Sequence, residues 1–190
     1  MKTPPSTSDA ELILAFQRGE ASAFDRLLER YQTSLYTFLL RMVKERVVAE
    51  DLFQETFLRV LRALPTYEEK GRFSSWLFGI GHRLCIDNFR RRRLEQTVYD
   101  ANAETSDLAV SSSDSAFDLD QLEKEELWAC IDDAVASLPM ASREVFLLRQ
   151  HGEITFREIA HMLDRPLNTV LGQMRQAIRL IRLYLEKQYV

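Results

Sequence analysis

Four consecutive arginines, Arg90 to Arg93, close a stretch that opens at Phe73 and carries Trp76, Phe78 and Phe89 on the way. Guanidinium groups neutralise phosphates and aromatic rings receive unstacked bases, so this mixture suits nucleic acid that is being opened. A charge run at a helix end also solvates that end and complements the helix dipole, and the run alone does not separate the two readings. Arg83 and Asp87 stand four residues apart and could simply pair with each other.

A second pattern lies near the opposite end. Thr155-Phe156-Arg157-Glu158 has the Thr-x-x-Glu form of a capping box, followed by Ile159, Ala160 and Leu163 on one face and a break at Asp164-Arg165-Pro166. Beyond the break, Val170, Met174, Ala177, Ile178, Ile181 and Leu185 form the apolar stripe of another helix. A helix-turn-helix has this form, and its second helix enters the major groove with its first residues, here Asn168, Thr169, Leu171, Gly172 and Gln173. Arg175, Arg179 and Arg182 line a side that could meet the phosphate backbone. A plain packed helical hairpin gives the same pattern, so DNA binding stands beside that alternative at this point.

No other constellation suggests chemistry. His82, His151 and His161 are scattered, no glycine-rich phosphate loop appears, and Cys85 and Cys130 are too few and too far apart for a zinc set or a disulfide framework. We expect no metal, no cofactor and no catalytic centre, and two reduced core thiols. The opening Met-Lys-Thr-Pro-Pro-Ser-Thr-Ser-Asp has no apolar signal region, and nothing reaches the roughly 20 apolar residues of a membrane span. This reads as a soluble cytoplasmic protein.

The elements that must position these residues are helices. Only 6 Gly and 5 Pro interrupt the 190 residues, apolar residues recur at spacings of three and four, and no strand alternation persists. Ser8-Asp9-Ala10-Glu11 caps a short first helix that Gly19 ends. A longer helix runs to about Val43, and a third from about Val47 to Leu64 buries Phe53, Phe57, Val60, Leu61 and Leu64, stopped by Pro65. Thr66 to Arg72 reads as a loop, and Phe73, Trp76, Leu77, Ile80 and Leu84 stripe a fourth helix, which makes Phe73 and Trp76 core residues before base platforms.

Charge divides the chain. Residues 1–94 hold 16 Lys or Arg against 12 Asp or Glu, residues 95–126 hold 1 against 10, and residues 127–190 hold 8 against 7. The net charge of −4 thus conceals two mildly basic ends around an acidic centre. That centre includes Ser111-Ser112-Ser113-Asp114-Ser115 and lacks apolar period, so residues 95–120 read as a flexible acidic linker. Helical pattern resumes near Leu119 and passes through Leu122, Leu127, Ile131, Val135 and Leu138. The fold class is all-α: a four-helix domain over 1–94, the linker, and a helix-turn-helix domain over 121–190.

Taken together, Asp51-Leu52-Phe53-Gln54-Glu55-Thr56-Phe57, Phe73-Ser-Ser-Trp76-Leu77, Ile86-Asp87-Asn88-Phe89-Arg90-Arg91, Leu138-Pro139 with Arg143 to Leu148, Phe156 to Ala160 and Pro166 to Val170 resemble bacterial sigma factors of the extracytoplasmic-function group. The resemblance spans nearly the whole chain. It implies that the first domain binds core RNA polymerase through Asp51, Gln54 and Glu55 and opens the minus-ten promoter element. A pocket for a flipped base would draw on Tyr67, Arg72 and Ser74, and Arg83, Asn88 and Arg90, Arg91, Arg92 and Arg93 would meet promoter DNA. The second domain would read the minus-thirty-five element with Arg165, Asn168, Thr169, Leu171, Gly172, Gln173, Arg175 and Arg179. The acidic connector would thread near the polymerase active site, and an anti-sigma factor, often membrane-anchored in this group, is an implied partner.

Three departures from the group stand out. Arg83 occupies a position where Asn is common, Gly79 and Gly81 replace better helix formers, and Leu171 and Gln173 replace basic residues of the reading helix. Gln can still read adenine through a bidentate contact. The competing functions are a stand-alone helix-turn-helix regulator, which would need a sensor or dimer interface, and a polymerase-binding decoy.

Overall fold

The computed structural model describes residues 7–99 and 130–188, with side chains described to Glu95 in the first segment. Most of the acidic linker and the helix start expected near Leu119 lie outside the described residues. Among the described residues there is no strand.

Helix α1 (Asp9–Gln17) starts at a reciprocal capping box in which the Ser8 side chain accepts from the Glu11 amide and Glu11 accepts from the Ser8 amide. Gly19, at φ +101°, turns the chain into α2 (Ser22–Val43), which ends at a left-handed Lys44. Helix α3 (Arg46–Ala63) passes into one 3₁₀ turn (Leu64–Thr66) that holds Pro65. A loop then leads to α4 (Phe73–Tyr99), which runs past the expected boundary at residue 94. Leu94, Glu95 and Gln96 all favour helix, and Glu95 lies 3.9 Å from Arg91 one turn back.

The second part comprises α5, described over residues 130–136, α6 (Met140–Gly152), α7 (Phe156–Met162) and α8 (Leu167–Gln188). The Thr155–Glu158 capping box forms as the sequence predicts. Together α7, the turn through Asp164 and α8 make the expected helix-turn-helix.

Helix α4 is the spine of the molecule because two of its faces are buried. Leu77, Gly81, Leu84 and Asn88 follow one face, and a Cβ on Gly81 would lie 3.3 Å from Leu35 Cδ1 and 3.4 Å from Leu39 Cδ2 of α2. The missing side chain lets α4 approach α2 closely, which is the physical use of a residue that otherwise weakens a helix. The other face carries Phe78, whose ring meets Phe38 of α2 edge-on at 5.4 Å, and His82, which meets α6. Gly79 faces α7, where a Cβ would lie 3.7 Å from Met162 Cε. The buried side chains of both parts form one continuous cluster, from Leu12 and Phe38 through Leu77 to Leu148 and Val170.

Two apolar expectations change. Leu61 is 39% exposed and Ile178 is 46% exposed, while Leu52 is buried. On α3 the buried line passes through Ala49, Leu52, Thr56, Phe57 and Val60, which turns Leu61 outward; on α8 Ala177 takes the buried place beside Ile178. Cys85 is buried and Cys130 half-buried, both as free thiols.

Candidate nucleic-acid interface

Helix α8 opens with the residues expected to read bases. Asn168 and Thr169 are exposed in the first turn of α8, and Leu171, Gly172 and Gln173 are partly exposed behind them. A Cβ on Gly172 would touch nothing within 4 Å, so this position opens the helix surface to whatever docks there. Arg175, Arg179 and Arg182 are exposed along the following turns, with Arg175 Nε donating to the Leu171 carbonyl at 3.3 Å. Arg165 differs: its guanidinium donates to Glu144 Oε1 of α6 at 2.5 Å and to Gln173 Oε1 at 3.3 Å. It braces the turn between α7 and α8 as well as standing at the edge of the reading surface.

The residues of the first part divide more sharply. Arg83, Arg90, Arg91 and Arg93 are exposed along α4. Asp87 pairs with Arg90 at 3.9 Å and Arg91 with Glu95 at 3.9 Å, so the pairing considered for Asp87 goes to Arg90. Arg92 reaches across to Glu45 at the start of α3, an ion pair that ties α4 to the α2–α3 connection. Asn88 is only 7% exposed and its Oδ1 finds no partner. It lies on the core face with Leu84, one turn before Arg92, which places it away from the DNA surface where the motif put it. The buried stripe through Leu77, Gly81 and Leu84 was the signal for its burial.

In the loop, Tyr67 stacks on Trp76 at 4.3 Å between ring centroids and meets Phe73 at 5.9 Å. Burial, with Glu69 and Asp9 nearby, pushes its phenol up to about 12, so it remains a neutral hydrogen-bonding group. Arg72 is exposed, whereas the Ser74 hydroxyl donates to the carbonyl of Gly152 at 2.5 Å. Phe73 is buried, as its spacing predicts. On α3, Asp51 and Gln54 are exposed, and Glu55 pairs with Arg59 at 2.7 Å. Gln54 borders a groove of about 510 Å³ between α2 and α3, with Tyr36 and Phe53 among its apolar walls.

Sequence reasoning missed the polar centre between the two parts. Glu144, 2% exposed, accepts from His82 Nε2 at 2.7 Å and from Arg165. Burial pushes its carboxyl upward, but the hydrogen bonds from His82 and Arg165 outweigh it and hold the group below the ordinary carboxylate value. Nothing local announces a pairing across 62 residues. A second link joins Arg41 of α2 to Asp132 at 2.5 Å and to His151 Nε2 at 2.9 Å. Since arginine can only donate, His151 Nε2 must offer a lone pair.

Burial, followed by the charge of Arg41, pushes the His151 imidazole from its ordinary 6.5 down to about 4. The unfolded chain therefore binds a proton between those values and the folded chain does not. The stability this neutral histidine contributes is complete above about pH 6.5 and is lost as pH falls toward 4. His151→Gln, which keeps an acceptor without titrating, should flatten that fall; thermal midpoints of both proteins at pH 7 and pH 5 provide the comparison.

Among the described residues no three His, Cys, Asp or Glu side chains are grouped to hold a metal, and no helix is long and apolar enough to cross a membrane. The fold and the surfaces define a helical DNA-binding protein with a helix-turn-helix reader held beside a second basic helix. The family described as Sigma-70 region 2 matches residues 27–95, and that described as Sigma-70, region 4 matches residues 128–181. The chain is 33% identical over 188 residues to the ECF RNA polymerase sigma factor BldN of Streptomyces coelicolor, covering 94% of this chain and 67% of that one. It is 34% identical over 144 residues to the RNA polymerase sigma factor CarQ of Myxococcus xanthus, covering 76% and 78% respectively. A solved structure of the sigma factor RpoE from Bartonella quintana, in complex with the anti-sigma factor NepR, shares the fold with a TM-score of 0.68 at 19% identity, over 86% of this chain and 96% of that one. The chain belongs to the extracytoplasmic-function group of RNA polymerase sigma factors, and it directs promoter recognition and transcription initiation.

Proposed function

We propose that residues 1–94 dock on core RNA polymerase and open the minus-ten element, and that residues 121–190 read the minus-thirty-five element. The observation that carries this division is the presence of two separate cationic surfaces, one on α4 around Arg83, Arg90 and Arg91 and one on α8 around Arg175, Arg179 and Arg182. Asn168, Thr169, Leu171, Gly172 and Gln173 read bases, and the arginines of α8 grip phosphates. Arg72, Tyr67 and Ser74 surround the flipped base, with Tyr67 held by Trp76 as a fixed wall.

The protein acts in the cytoplasm without a catalytic centre, because promoter opening here draws on binding energy and not on nucleotide hydrolysis. An anti-sigma factor is a further proposed partner, in keeping with the Bartonella quintana complex.

Asp51 and Gln54, both exposed and the latter bordering the α2–α3 groove, carry the polymerase contact together with Glu55. Asp51→Arg with Gln54→Arg should weaken core-polymerase binding by at least about tenfold, the order expected when one well-made polar contact is lost. Fluorescence titration of labelled protein with core polymerase measures it. Unchanged affinity would move the docking face elsewhere.

A further inference from the structure

Between the 3₁₀ turn and α4 the chain forms neither helix nor strand over residues 67–72, so bonds from side chains set its shape. Two residues supply them. Gln17, the last residue of α1, has two amide hydrogens to give, and its Nε2 lies 3.0 Å from the Leu64 carbonyl and 2.8 Å from the Tyr67 carbonyl. Glu69 Oε1 accepts from the Gly71 amide and, at 3.1 Å, from the Arg72 amide, across a left-handed Gly71 at φ +68°. Glu69 Oε2 is buried and receives no donor, so a single carboxylate oxygen holds this end of the loop.

The residues held in this way are the two proposed to surround the flipped base. Gln17 fixes Tyr67 by its carbonyl, and Glu69 fixes Arg72 by its amide. The Tyr67 ring, stacked on Trp76 at 4.3 Å, and the exposed Arg72 line one cavity of about 420 Å³ with Trp76, Arg83 and, from α7, Met162. Neither Gln17 nor Glu69 is among its lining residues. Capture of a base has to offset its lost stacking and pairing. A loop that also had to be ordered at that step would bind more weakly, because fixing each residue costs conformational entropy. Side chains that set the loop before DNA arrives remove that cost.

We propose that Gln17 and Glu69 are positioning residues for base capture, holding Tyr67 and Arg72 in the receiving arrangement before promoter DNA binds and touching no base themselves. Their role rests on the reading of Tyr67 and Arg72 as the base pocket, and it gives α1 a part in promoter opening.

The test is a cycle between protein variants and DNA lacking one base. Holoenzyme reconstituted with each variant is titrated with fork-junction DNA from a promoter recovered with the parent holoenzyme, each minus-ten base of the non-template strand being replaced in turn by an abasic residue. In the parent, loss of the captured base should weaken binding by roughly tenfold, the scale of one lost base–aromatic contact. In Gln17→Ala and in Glu69→Ala, intact DNA should bind roughly fivefold more weakly, and the abasic penalty at that one position should shrink to below about threefold. Glu69→Gln keeps the one acceptor in use and should behave as the parent does. A full tenfold penalty in both alanine variants, or alanine-like behaviour of Glu69→Gln, overturns the positioning role and leaves base capture standing. A parent with no position-specific penalty overturns base capture itself, and the role of Gln17 and Glu69 with it.

Discussion

Glu144→Ala should lower the unfolding free energy by about 3 kcal/mol, the range found when one member of a buried charged group is removed. The carboxylate is 2% exposed and satisfies two donors at once, His82 at 2.7 Å and Arg165 at 2.5 Å. Its removal leaves both donors facing a hole, and Arg165 recovers only in part by turning to water, since its side chain is 28% exposed. A urea titration with unchanged slope and a lower midpoint would report the loss. The group's depressed carboxyl adds a pH signature: its contribution is present above the ordinary carboxylate value of 4.5 and is lost as pH falls below it, so parent and variant should converge in acid. Glu144→Gln keeps the volume and should cost less. Equal stability of parent and Glu144→Ala at pH 7 would show that the polar centre does not hold the second part together.

The second large effect concerns the basic end of α4. Arg90→Gln with Arg91→Gln should weaken the complex of holoenzyme with promoter DNA by roughly 60-fold near 0.1 M salt and reduce the salt-dependence slope by roughly two units, since each phosphate contact releases close to one counterion. Both side chains are exposed and hold their acidic neighbours at only 3.9 Å, contacts weak enough for phosphate to displace. Arg92→Gln should differ in kind. Its guanidinium is committed to Glu45, so its loss should loosen the α3–α4 junction with a smaller change in slope. Titrations of promoter binding across several salt concentrations separate these cases, and an unchanged slope in the double variant would place Arg90 and Arg91 outside the DNA path.

Features set by neighbours in sequence were readable before the structure. The capping boxes at Ser8–Glu11 and Thr155–Glu158 each need only residues three apart, and both form. The stripe of α4 and the exposed arginines of α8 follow from helical period alone. What depended on distant partners was not readable. Arg92 belongs to Glu45, 47 residues away, Ser74 to Gly152, 78 away, and His82 to Glu144, so a run of four arginines read as one surface is two kinds of residue. Asn88 was assigned by motif to DNA, yet its place beside Leu84 and Gly81 on the stripe puts it inside. Gly79 and Gly81, read as departures that weaken a helix, face Met162 of α7 and Leu35 and Leu39 of α2. Leu171 and Gln173 place no cation in the first turns of the proposed reading surface, so its attraction for phosphate rests on the exposed Arg175, Arg179 and Arg182.

A stand-alone helix-turn-helix regulator does not account for the match of residues 27–95 to Sigma-70 region 2. A polymerase decoy and an active initiation factor differ in one observable. The purified chain, mixed with core RNA polymerase and a pool of genomic promoter fragments, is followed by gel-filtration co-elution and run-off transcription. The account predicts a co-eluting complex and transcripts that require this chain and start downstream of discrete promoters. No co-elution, or co-elution with no transcript beyond that of core polymerase alone, would contradict it.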